Sequence, residues 1–503
     1  MRKLFDAITK MLADIGIPSN RKFIYATLIV LLISRACLQF YAAPLPDEAY
    51  YWLWGIHLSF SYYDHPPLHA WLQGLDARLF GWNLVSLRLL TWPTTIGTIA
   101  ILLWWSRRLA TAVWGEYFFA TTAICFASPL IFIYTAIAYN DHLLIFLSCL
   151  SASFFMLFFM KFTARGRQSL LYLYLGAIIL AFAALTKYNA VFLGLGVAIS
   201  VVALPALRPL LKSPHIYAAA GLIVLVQLPV LYWNVINDFS SFRYNLWDRL
   251  HLQSWWISLG TLVAVFATSV VVLSPFLFAP LLGFLKSRPK GLAETICQSL
   301  GFWTFFYSTM SFFVLCFFTY VHFYWNIEAY LLFFPAALMY LPSSRVLRAH
   351  LVYGMIFSML FAFNYTVLPL AALVSHADLE SARVFGWAEI GNRIATAKAK
   401  YHAQFIAASD WQTASQLAFA LQDPTVECFG DRSQFTFWLN NDLRYGQDAI
   451  ILVDESQVQN VNSVIGPKFR IVQPIETIQV KRFGKLLTTY KIYVGIAYIA
   501  KDS

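Results

Sequence analysis

Leu45 to Leu72 reads LPDEAYYWLWGIHLSFSYYDHPPLHAWL and directly follows an apolar run at 23–42. An apolar run of this length can cross the hydrocarbon core of a bilayer as a helix. A basic segment, 1–22, precedes the run and no convincing cleavage site follows it, so we expect a retained span and not a removed signal peptide. The quoted segment sets three acids and three histidines among aromatic side chains, which predicts chemistry at a membrane surface.

The composition excludes a large water-soluble globule. Hydrophobic residues make up 59% of the 503 residues and charged residues only 12%, which predicts an α-helical polytopic membrane protein. Apolar windows of sufficient length predict about eleven transmembrane helices, near 23–42, 84–105, 111–128, 141–160, 169–186, 190–207, 217–235, 257–285, 296–319, 328–342 and 351–373. The window 257–285 contains Pro275 and Pro280, so we expect it to be bent or re-entrant.

The basic residues predict the orientation of the chain. Lys and Arg concentrate in alternate loops, and the positive-inside rule places such loops in the cytoplasm. These loops are 1–22, 106–108, 161–167, 208–212, 286–290 and 343–348, with Arg78 and Arg88 as exceptions. The opposite loops are rich in Tyr, Trp, Asn, Asp and His, and are predicted to lie outside. The formal net charge of +11 follows from this topology and does not indicate a nucleic-acid partner.

The tail differs from the rest of the chain. From about His376 the sequence becomes polar, and an odd number of spans places this tail of roughly 125 residues outside, as a small domain. Its pattern predicts an α/β domain with strands at 404–408, 426–429 and 449–453, helices at 410–421 and 435–439, and a β-rich stretch at 469–500. The predicted domains are therefore 1–375, transmembrane, and 376–503, extracytoplasmic.

Two outer loops carry acids at the ends of predicted spans. Asp47 and Glu48 follow the first span, Asp64 lies in the same loop, and Asp141 begins the fourth span. Ionisable residues in membrane segments are candidates for function, whereas helix capping is the structural alternative. Because acids recur in two outer loops, we predict that they belong to a functional site.

Other side chains in these loops suit a sugar or a phosphate. Tyr62 and Tyr63 could stack on a sugar face, with interfacial anchoring as the alternative. Lys187 lies on the outer side against the positive-inside rule, which favours an anionic partner such as a lipid phosphate over snorkelling. Arg243 and Arg249 are weaker candidates because Asp248 could pair with either. His322 is either an interfacial residue or a substrate contact.

Other chemistries lack support. Five of the six cysteines lie in apolar windows, so neither a disulfide framework nor a metal cluster is predicted. HExxH, Walker A, GxSxG and paired CxxC motifs do not occur in a convincing context, which argues against zinc hydrolases, P-loop ATPases, serine hydrolases and thiol redox proteins.

The outer-loop residues resemble those of the type C membrane glycosyltransferases. The resemblance rests on the DE pair after the first span, the YYDHPP segment, the acid of the second outer loop and the TKY motif. It covers about 20–345 and is strongest over 45–72, and the tail pieces ASDWQTASQLAFAL and DRSQFTFW also fit. The branch it resembles most contains the lipid A aminoarabinose transferase and the rhizobial galacturonosyltransferases, with protein O-mannosyltransferases as more distant relatives.

This resemblance implies a fold, a donor and a location. It implies a type C glycosyltransferase fold and a polyprenyl-phosphate sugar as donor lipid. Transfer would take place at the periplasmic face of the bacterial inner membrane, to lipid A or another envelope glycan. The aminoarabinose enzyme has an Arg and a Lys where this chain has Tyr50 and His65, so aminoarabinose is not indicated as the sugar.

The resemblance also implies roles for individual residues. Catalytic roles fall on Asp47, with Glu48 beside it, and on Asp141; donor-phosphate contacts fall on Lys187, His65 and Arg243; substrate contacts fall on Tyr62, Tyr63, Asp64 and His322. No cofactor is expected. The carboxylates could bind a divalent cation, but Lys and His alone could neutralise the phosphate, so no metal site is predicted.

The chemistry of the residues agrees with such a transfer. A sugar phosphodiester already carries a good leaving group, so the protein must mainly orient the acceptor and stabilise the departing phosphate. Asp47 could accept a proton from an acceptor hydroxyl, or orient a phosphate acceptor. A single displacement predicts inversion at the anomeric carbon.

Two other classes remain open from the residues. A lipid-linked glycan polymerase or protein O-glycosyltransferase would use a similar donor, and it differs in whether one sugar or a chain is added and to what acceptor. A transporter or flippase would place its charges near the bilayer midplane, whereas here they cluster at one face, which favours an interfacial enzyme.

Overall fold

The computed structural model describes residues 11–12, 15–164, 169–250, 255–289, 291–374, 378–430, 433–438 and 441–500. Within these residues the chain is mostly helical and forms two compact units. The first unit contains Met1–Arg35, His65–His69 and Leu89–Met359, and the second contains Ala36–Asp64, Ala70–Arg88 and Leu360–Ser503. The second unit thus includes Tyr62, Tyr63 and Asp64 of the YYDHPP segment as well as the tail, whereas His65, Pro66 and Pro67 belong to the first unit. The domain division at 375/376 stays a prediction.

The helices that precede the tail are listed here in chain order. They are α1 (Ile17–Tyr41), α2 (Pro46–Ile56), α3 (Leu68–Phe80), α4 (Leu84–Leu89), α5 (Thr91–Leu109), α6 (Trp114–Ala127), α7 (Pro129–Ala136), α8 (Asn140–Thr163), α9 (Leu170–Thr186), α10 (Val191–Ala203), α11 (Pro214–Val226), α12 (Leu228–Ile236), α13 (Ser240–Arg243), α14 (Trp255–Leu273), α15 (Pro275–Lys286), α16 (Leu292–Leu315), α17 (Glu328–Leu331), α18 (Ser344–Thr366) and α19 (Ala371–Val374).

Several of these helices have the length and apolar composition of membrane spans. Among the described residues, five stretches qualify: α1, Leu84–Leu109, α8, α14 and α18. The number rises to seven if two bent pairs, α6 with α7 (81°) and α11 with α12 (44°), each form one span. Leu170–Thr186, Tyr188–Ala203 and Pro275–Lys286 are apolar but shorter. A multi-pass helical membrane protein is therefore confirmed, while the number of eleven spans stays a prediction.

Two predicted windows are broken by local backbone chemistry. In 257–285 the helix is interrupted at Ser274, whose φ is 97°, and α15 begins at Pro275, so this window is not one continuous helix. The window 328–342 is not one α-helix, because the short α17 is followed by a 3₁₀ helix at Phe334–Tyr340. Pro335 lacks the N–H that a continuing α-helix needs, which accounts for the change.

The second unit contains a five-stranded sheet in the tail. The tail elements are α20 (Leu379–Ala382), α21 (Trp387–Lys400), β1 (Phe405–Ala408), α22 (Trp411–Leu421), β2 (Glu427–Cys428), α23 (Asn441–Arg444), β3 (Ala449–Asp454), β4 (Phe469–Arg482) and β5 (Lys485–Tyr498). The strand order is β2-β1-β3-β5-β4, with β1 parallel to β2 and β3 and with β5 antiparallel to β3 and β4.

The predicted tail elements correspond closely to the observed ones. The predicted strands at 404–408, 426–429 and 449–453 overlap β1, β2 and β3, and the β-rich stretch is the β4–β5 hairpin. The predicted helix at 435–439 is a 3₁₀ helix, Gln434–Phe437, and Leu439 lies outside the described residues. Sequence reasoning missed α21, although its buried residues Trp387, Ile390, Ile394 and Ala397 follow a helical spacing.

Helices α2 and α3 touch through their backbones at two glycines. A Cβ atom on Gly55 would lie 2.6 Å from the backbone nitrogen of Gly74, and a Cβ atom on Gly74 would overlap the carbonyl oxygen of Gly55. A larger side chain at either position must push the helices apart. The glycines therefore fix the distance between the two halves of the motif-bearing segment.

We expect Gly74→Ala to lower the free energy of unfolding by about 1–3 kcal/mol, because the added methyl group overpacks this crossing. The matched control is Gly260→Ala in α14, where a Cβ atom meets nothing within 4 Å. That change should stabilise the protein by up to about 1 kcal/mol through helix propensity. Thermal melting of the purified proteins in one detergent tests both, and equal melting temperatures for the two variants would contradict the close crossing.

Candidate functional site

Glu48 anchors the start of α2 through a buried ion pair. Its Oε2 accepts a hydrogen bond from the backbone N–H of Leu45 at 2.9 Å. Arg88 donates from Nε to Oε1 at 2.8 Å and from Nη2 to Oε2 at 2.5 Å. The side chains of Arg88 and Glu48 are 1% and 0% exposed. Both carboxylate oxygens are thus engaged, which favours a structural role for Glu48 over the predicted catalytic one.

Arg88 also caps the end of α1. Its Nη1 donates to the carbonyl oxygens of Leu38 and Ala42 at 2.7 and 2.8 Å, and its Nη2 donates to that of Ala43 at 3.1 Å. The last carbonyls of a helix lack partners within the helix and carry partial negative charge. These contacts explain why Arg88 departs from the positive-inside pattern, because its charge is paired with Glu48 and with carbonyl oxygens inside the protein.

Asp47 differs from Glu48 in its surroundings. It lies in the first turn of α2, where a carboxylate is favoured by the helix dipole, and it is half-buried. The hydroxyl of Tyr51 lies 3.4 Å from its Oδ1, a long hydrogen bond. Of the two adjacent acids, Asp47 is therefore the less buried.

Asp64 is oriented by a chain of hydrogen bonds that reaches the tail. The backbone N–H of Gln434 donates to the hydroxyl oxygen of Tyr50 at 2.7 Å, and this hydroxyl donates to Asp64 Oδ2 at 2.9 Å. The Oε1 of Gln434 accepts from the backbone N–H of Tyr63 at 2.7 Å. The DRSQFTFW segment thus holds both α2 and the loop that follows it.

The other tail motif also contacts this segment. The Trp411 ring lies 4.7 Å from the Tyr50 ring between centroids. Gln416 Nε2 donates to the carbonyl oxygen of Pro44 at 2.5 Å. Both residues belong to the ASDWQTASQLAFAL piece, so the two tail motifs act together as supports for the start of α2.

Tyr62 and Tyr63 are both buried in the protein. The Tyr62 ring is stacked on the Trp54 ring at 4.8 Å, and its hydroxyl donates to the Trp54 carbonyl oxygen at 2.7 Å. The Tyr63 ring lies 5.8 Å from that of Phe437, and the side chain is 4% exposed. These contacts favour structural roles for both tyrosines over the predicted stacking on a sugar.

In the first unit, Asp141 and Lys187 form a buried ion pair. Lys187 Nζ lies 2.8 and 2.9 Å from the two carboxylate oxygens of Asp141, and the side chains are 4% and 2% exposed. Lys187 Nζ also lies 4.9 Å from the centre of the Tyr324 ring, a cation–π contact. The structure thus brings together two predicted site residues that lie 46 positions apart.

Sequence reasoning missed a second acid in this region, Glu328. It is 1% exposed at the start of α17, and its Oε1 lies 2.5 Å from the hydroxyl oxygen of Ser148. Glu328 also interacts electrostatically with Asp141 and Lys187. The signal was present in WNIEAY, where an acid precedes an apolar run, because such acids are functional candidates by default.

Two histidines and an arginine lie near Lys187. The pKa of His65 is well below its usual value because of burial first, and then because of the positive charges of Lys187 and Arg249. Loss of hydration, followed by Arg249 and Lys187, lowers the pKa of His322 to about 4. Both imidazoles are therefore neutral near pH 7, and they can donate a hydrogen bond to a phosphate without adding a full charge.

Of the two arginines considered from the sequence, Arg249 lies in this cluster, where its charge acts on His65 and His322. Its guanidinium carbon lies 4.5 Å from the centre of the Trp325 ring and 4.8 Å from that of Tyr244. Arg243, at the end of α13, is exposed. The sequence placed both arginines in one loop, but only the fold could show which one turns toward the other site residues.

A chain of hydrogen bonds orients the side chain of His142, the residue that follows Asp141. Thr94 Oγ1 lies 3.1 Å from the carbonyl oxygens of Leu90 and Thr91, so its proton points to a carbonyl. The Thr94 hydroxyl must then accept from Nδ1–H of His142 at 3.0 Å. His142 Nε2 in turn accepts from Nε2–H of His69 at 3.2 Å. This assignment orients His142 and so helps to fix the first turn of α8.

Three comparisons with known proteins bear on these residues. A family model described as dolichyl-phosphate-mannose-protein mannosyltransferase matches residues 64–233, which include Asp64, Asp141 and Lys187. The lipid A galacturonosyltransferase RgtD of Rhizobium johnstonii is 25% identical over 386 residues, which are 76% of this chain and 79% of RgtD. The sequence therefore resembles membrane sugar transferases of two acceptor types.

Two solved structures of one protein match nearly the whole chain. ArnT from Cupriavidus metallidurans bound to undecaprenyl phosphate superimposes with a TM-score of 0.60 at 15% identity, over 97% of this chain and 100% of that chain. Its apo state gives a TM-score of 0.61 at 14% identity, over 96% and 100% of the chains. The chain has the fold of the type C membrane glycosyltransferases. The resemblance predicted from the outer-loop motifs is thereby confirmed.

Glu48 and Asp141 are each paired with a basic side chain. Among the described residues, no group of three or more His, Cys, Asp and Glu side chains is arranged to hold a metal ion. Arg88 and Lys187 instead supply the positive charge beside Glu48 and Asp141.

We expect Arg88→Met to lower the free energy of unfolding by about 3–5 kcal/mol, because it leaves Glu48 as an uncompensated buried charge. The matched control is Arg78→Met at the exposed end of α3, which should change stability by less than about 0.5 kcal/mol. The melting temperatures of the two purified variants in the same detergent check this. Similar values for Arg88→Met and the wild type would rule out the anchoring role of the pair.

Proposed function

We propose that this chain is a membrane glycosyltransferase that moves one sugar from a polyprenyl-phosphate donor to lipid A or another envelope glycan at the periplasmic face. The observation that carries the proposal is the buried pair of Asp141 and Lys187, which lies with Arg249 and two neutral histidines in the first unit. The type C fold and the match to ArnT, whose structure was determined with undecaprenyl phosphate, support a lipid phosphate as the ligand.

The cluster of Lys187, Arg249 and the two histidines is suited to the donor phosphate, whose negative charge increases during the reaction. A polyprenyl-phosphate sugar is a phosphodiester with one negative charge. When the bond between the sugar and the phosphate breaks, the polyprenyl phosphate leaves as a monoester with a second ionisable oxygen. Lys187 and Arg249 stabilise this developing charge, and His65 donates a hydrogen bond to it. Asp141 holds the Lys187 ammonium in position, so its role is in positioning more than in proton transfer.

On the acceptor side, Asp47 is the proposed base. It accepts the proton of an acceptor hydroxyl as the oxygen attacks the anomeric carbon, or orients the acceptor if the nucleophile is a phosphate. Glu48 stays paired with Arg88, and Asp64 is held by Tyr50. The attack on the anomeric carbon and the departure of the lipid phosphate form one displacement.

The nature of the acceptor rests on the sequence relative. RgtD acts on lipid A by its name, and its match extends over most of both chains. We therefore place lipid A or the adjoining lipopolysaccharide core first. The family model describes protein mannosyltransferases, so transfer to a protein is the second candidate. A polymerase would differ from both by adding a chain of sugars instead of one.

We expect Asp47→Asn to abolish transfer, with a loss of at least about 100-fold, because general-base catalysis typically contributes that factor. Mass spectrometry of lipid A and core from cells with the wild type, with the variant and without the protein provides the test. One discrete sugar mass should be missing in the last two. Glu389→Gln, which removes an exposed acid in the tail, is the control and should leave the product unchanged.

The same experiment separates the proposed functions. If the lipid A and core profiles are identical in all strains while envelope proteins lose a glycan, the protein acceptor is correct and the lipid A acceptor is wrong. If Asp47→Asn is well folded and retains full transfer, Asp47 is not the base. Melting temperatures measured on the purified variant show that lost activity is not lost folding.

We further expect the transferred sugar to have the anomeric configuration opposite to that of the donor, because a single displacement inverts the reacting carbon. NMR of the isolated product, compared with a donor of known anomer, measures this directly. A product that retains the donor configuration would require a covalent glycosyl intermediate or another mechanism, and would overturn the one-step scheme.

A further inference from the structure

The first unit contains a cavity on the inner side of several of its helices. Its volume is about 390 Å³, within the range of roughly 300–1,000 Å³ that is typical of sites for small ligands. The walls come from α5, α8, α15, α16 and the 3₁₀ helix at Phe334–Tyr340. None of the proposed donor or acceptor residues lines it.

The interior of the cavity is suited to a hydrocarbon chain. Most of its wall consists of apolar side chains, among them Ile101, Met156, Met160, Leu332 and Met339. Methionine side chains are flexible and adapt to irregular ligands. A flexible apolar chain would fill this space without leaving polar groups unsatisfied.

The polar groups on the wall already have partners within the protein. Trp105 Nε1 donates to the hydroxyl oxygen of Ser153 at 2.9 Å, and that hydroxyl donates to the Cys149 carbonyl oxygen at 2.7 Å. Gln298 Nε2 donates to the carbonyl oxygen of Leu285 at 3.0 Å. A polar ligand would find few groups to bind in this interior, whereas a hydrocarbon chain needs none.

Two opposite charges border the cavity, Arg108 and Glu294. Arg108 is exposed and its guanidinium carbon lies 3.9 Å from the centre of the Trp104 ring. Glu294 is exposed in the first turn of α16. Both residues lie near loops that the basic residues predict to be cytoplasmic, 106–108 and 286–290. The border therefore offers one site for an anion and one for a cation at the level of the lipid head groups.

We propose that the cavity binds one acyl chain of a zwitterionic phospholipid from the cytoplasmic leaflet. The phosphate of the head group pairs with Arg108 and its ammonium group pairs with Glu294, while the chain occupies the apolar interior. The charge pattern selects this lipid, because an anionic head group without an amine would meet Glu294 as a like charge. This proposal is independent of the sugar-transfer reaction.

The first test compares two lipids on the full-length protein. Native mass spectrometry is performed on the delipidated protein with phosphatidylethanolamine or phosphatidylglycerol that carry the same acyl chains. We expect one phosphatidylethanolamine to bind about tenfold more tightly than phosphatidylglycerol. Equal affinity for the two lipids, or no retained lipid, would overturn the proposal.

Single substitutions at the border of the cavity test whether the lipid binds there. Glu294→Gln should remove the preference for phosphatidylethanolamine, and Arg108→Gln should weaken both lipids by about tenfold. The matched controls are Glu116→Gln, in the first turn of α6, and Arg107→Gln, whose guanidinium carbon lies 4.8 Å from the Trp114 ring centre. Neither control residue lines the cavity, and both should behave as the wild type.

A cavity-filling change and a competitor complete the test. Ala336→Trp places an indole in the cavity and should abolish lipid retention in protein that elutes and melts as the wild type does. If that variant misfolds, the Glu294→Gln comparison still decides the question. If undecaprenyl phosphate displaces the phospholipid in direct competition, the cavity belongs to a donor chain and the proposal is wrong.

Discussion

The start of α2 depends on the ion pair between Glu48 and Arg88. Burying two charges costs several kcal/mol for each ion, and only good geometry with further hydrogen bonds offsets this cost. Arg88 meets the condition, because it satisfies Glu48 with two hydrogen bonds and three carbonyl oxygens near the end of α1 with the others. The pair therefore fixes the chain on both sides of Asp47, whose own carboxylate keeps greater exposure.

The tail supports the same segment. Gln434 contacts both Tyr50 and Tyr63, and Gln416 contacts the carbonyl group of Pro44, so the tail holds the residues before α2, the middle of α2 and the loop beyond it. The Tyr50 hydroxyl accepts a hydrogen bond from the backbone N–H of Gln434 and donates one to Asp64 Oδ2, so it connects the tail to the loop after α2.

The sequence allowed prediction of features that have a recognisable motif or a local pattern. The outer-loop motifs predicted the type C fold, and the alternating pattern of the tail predicted the strands of the sheet. Contacts between residues that are distant in sequence could not be predicted. The partner of Asp141 is Lys187, and Glu328 of α17 lies in the same region. The window 328–342 has the composition of a span, yet Pro335 and tertiary contacts break it into short helices, which hydropathy alone does not detect.

The hydrogen bond between Gln434 and Tyr50 joins residues that are 384 positions apart. Contacts of such high sequence separation form late, because the chain between them must first be made and organised. The segment that carries Asp47 is synthesised early, but it cannot gain this support until the tail has been made and has folded. A chain that ended before Gln434 would lack this bond to Tyr50 even if every preceding helix had formed.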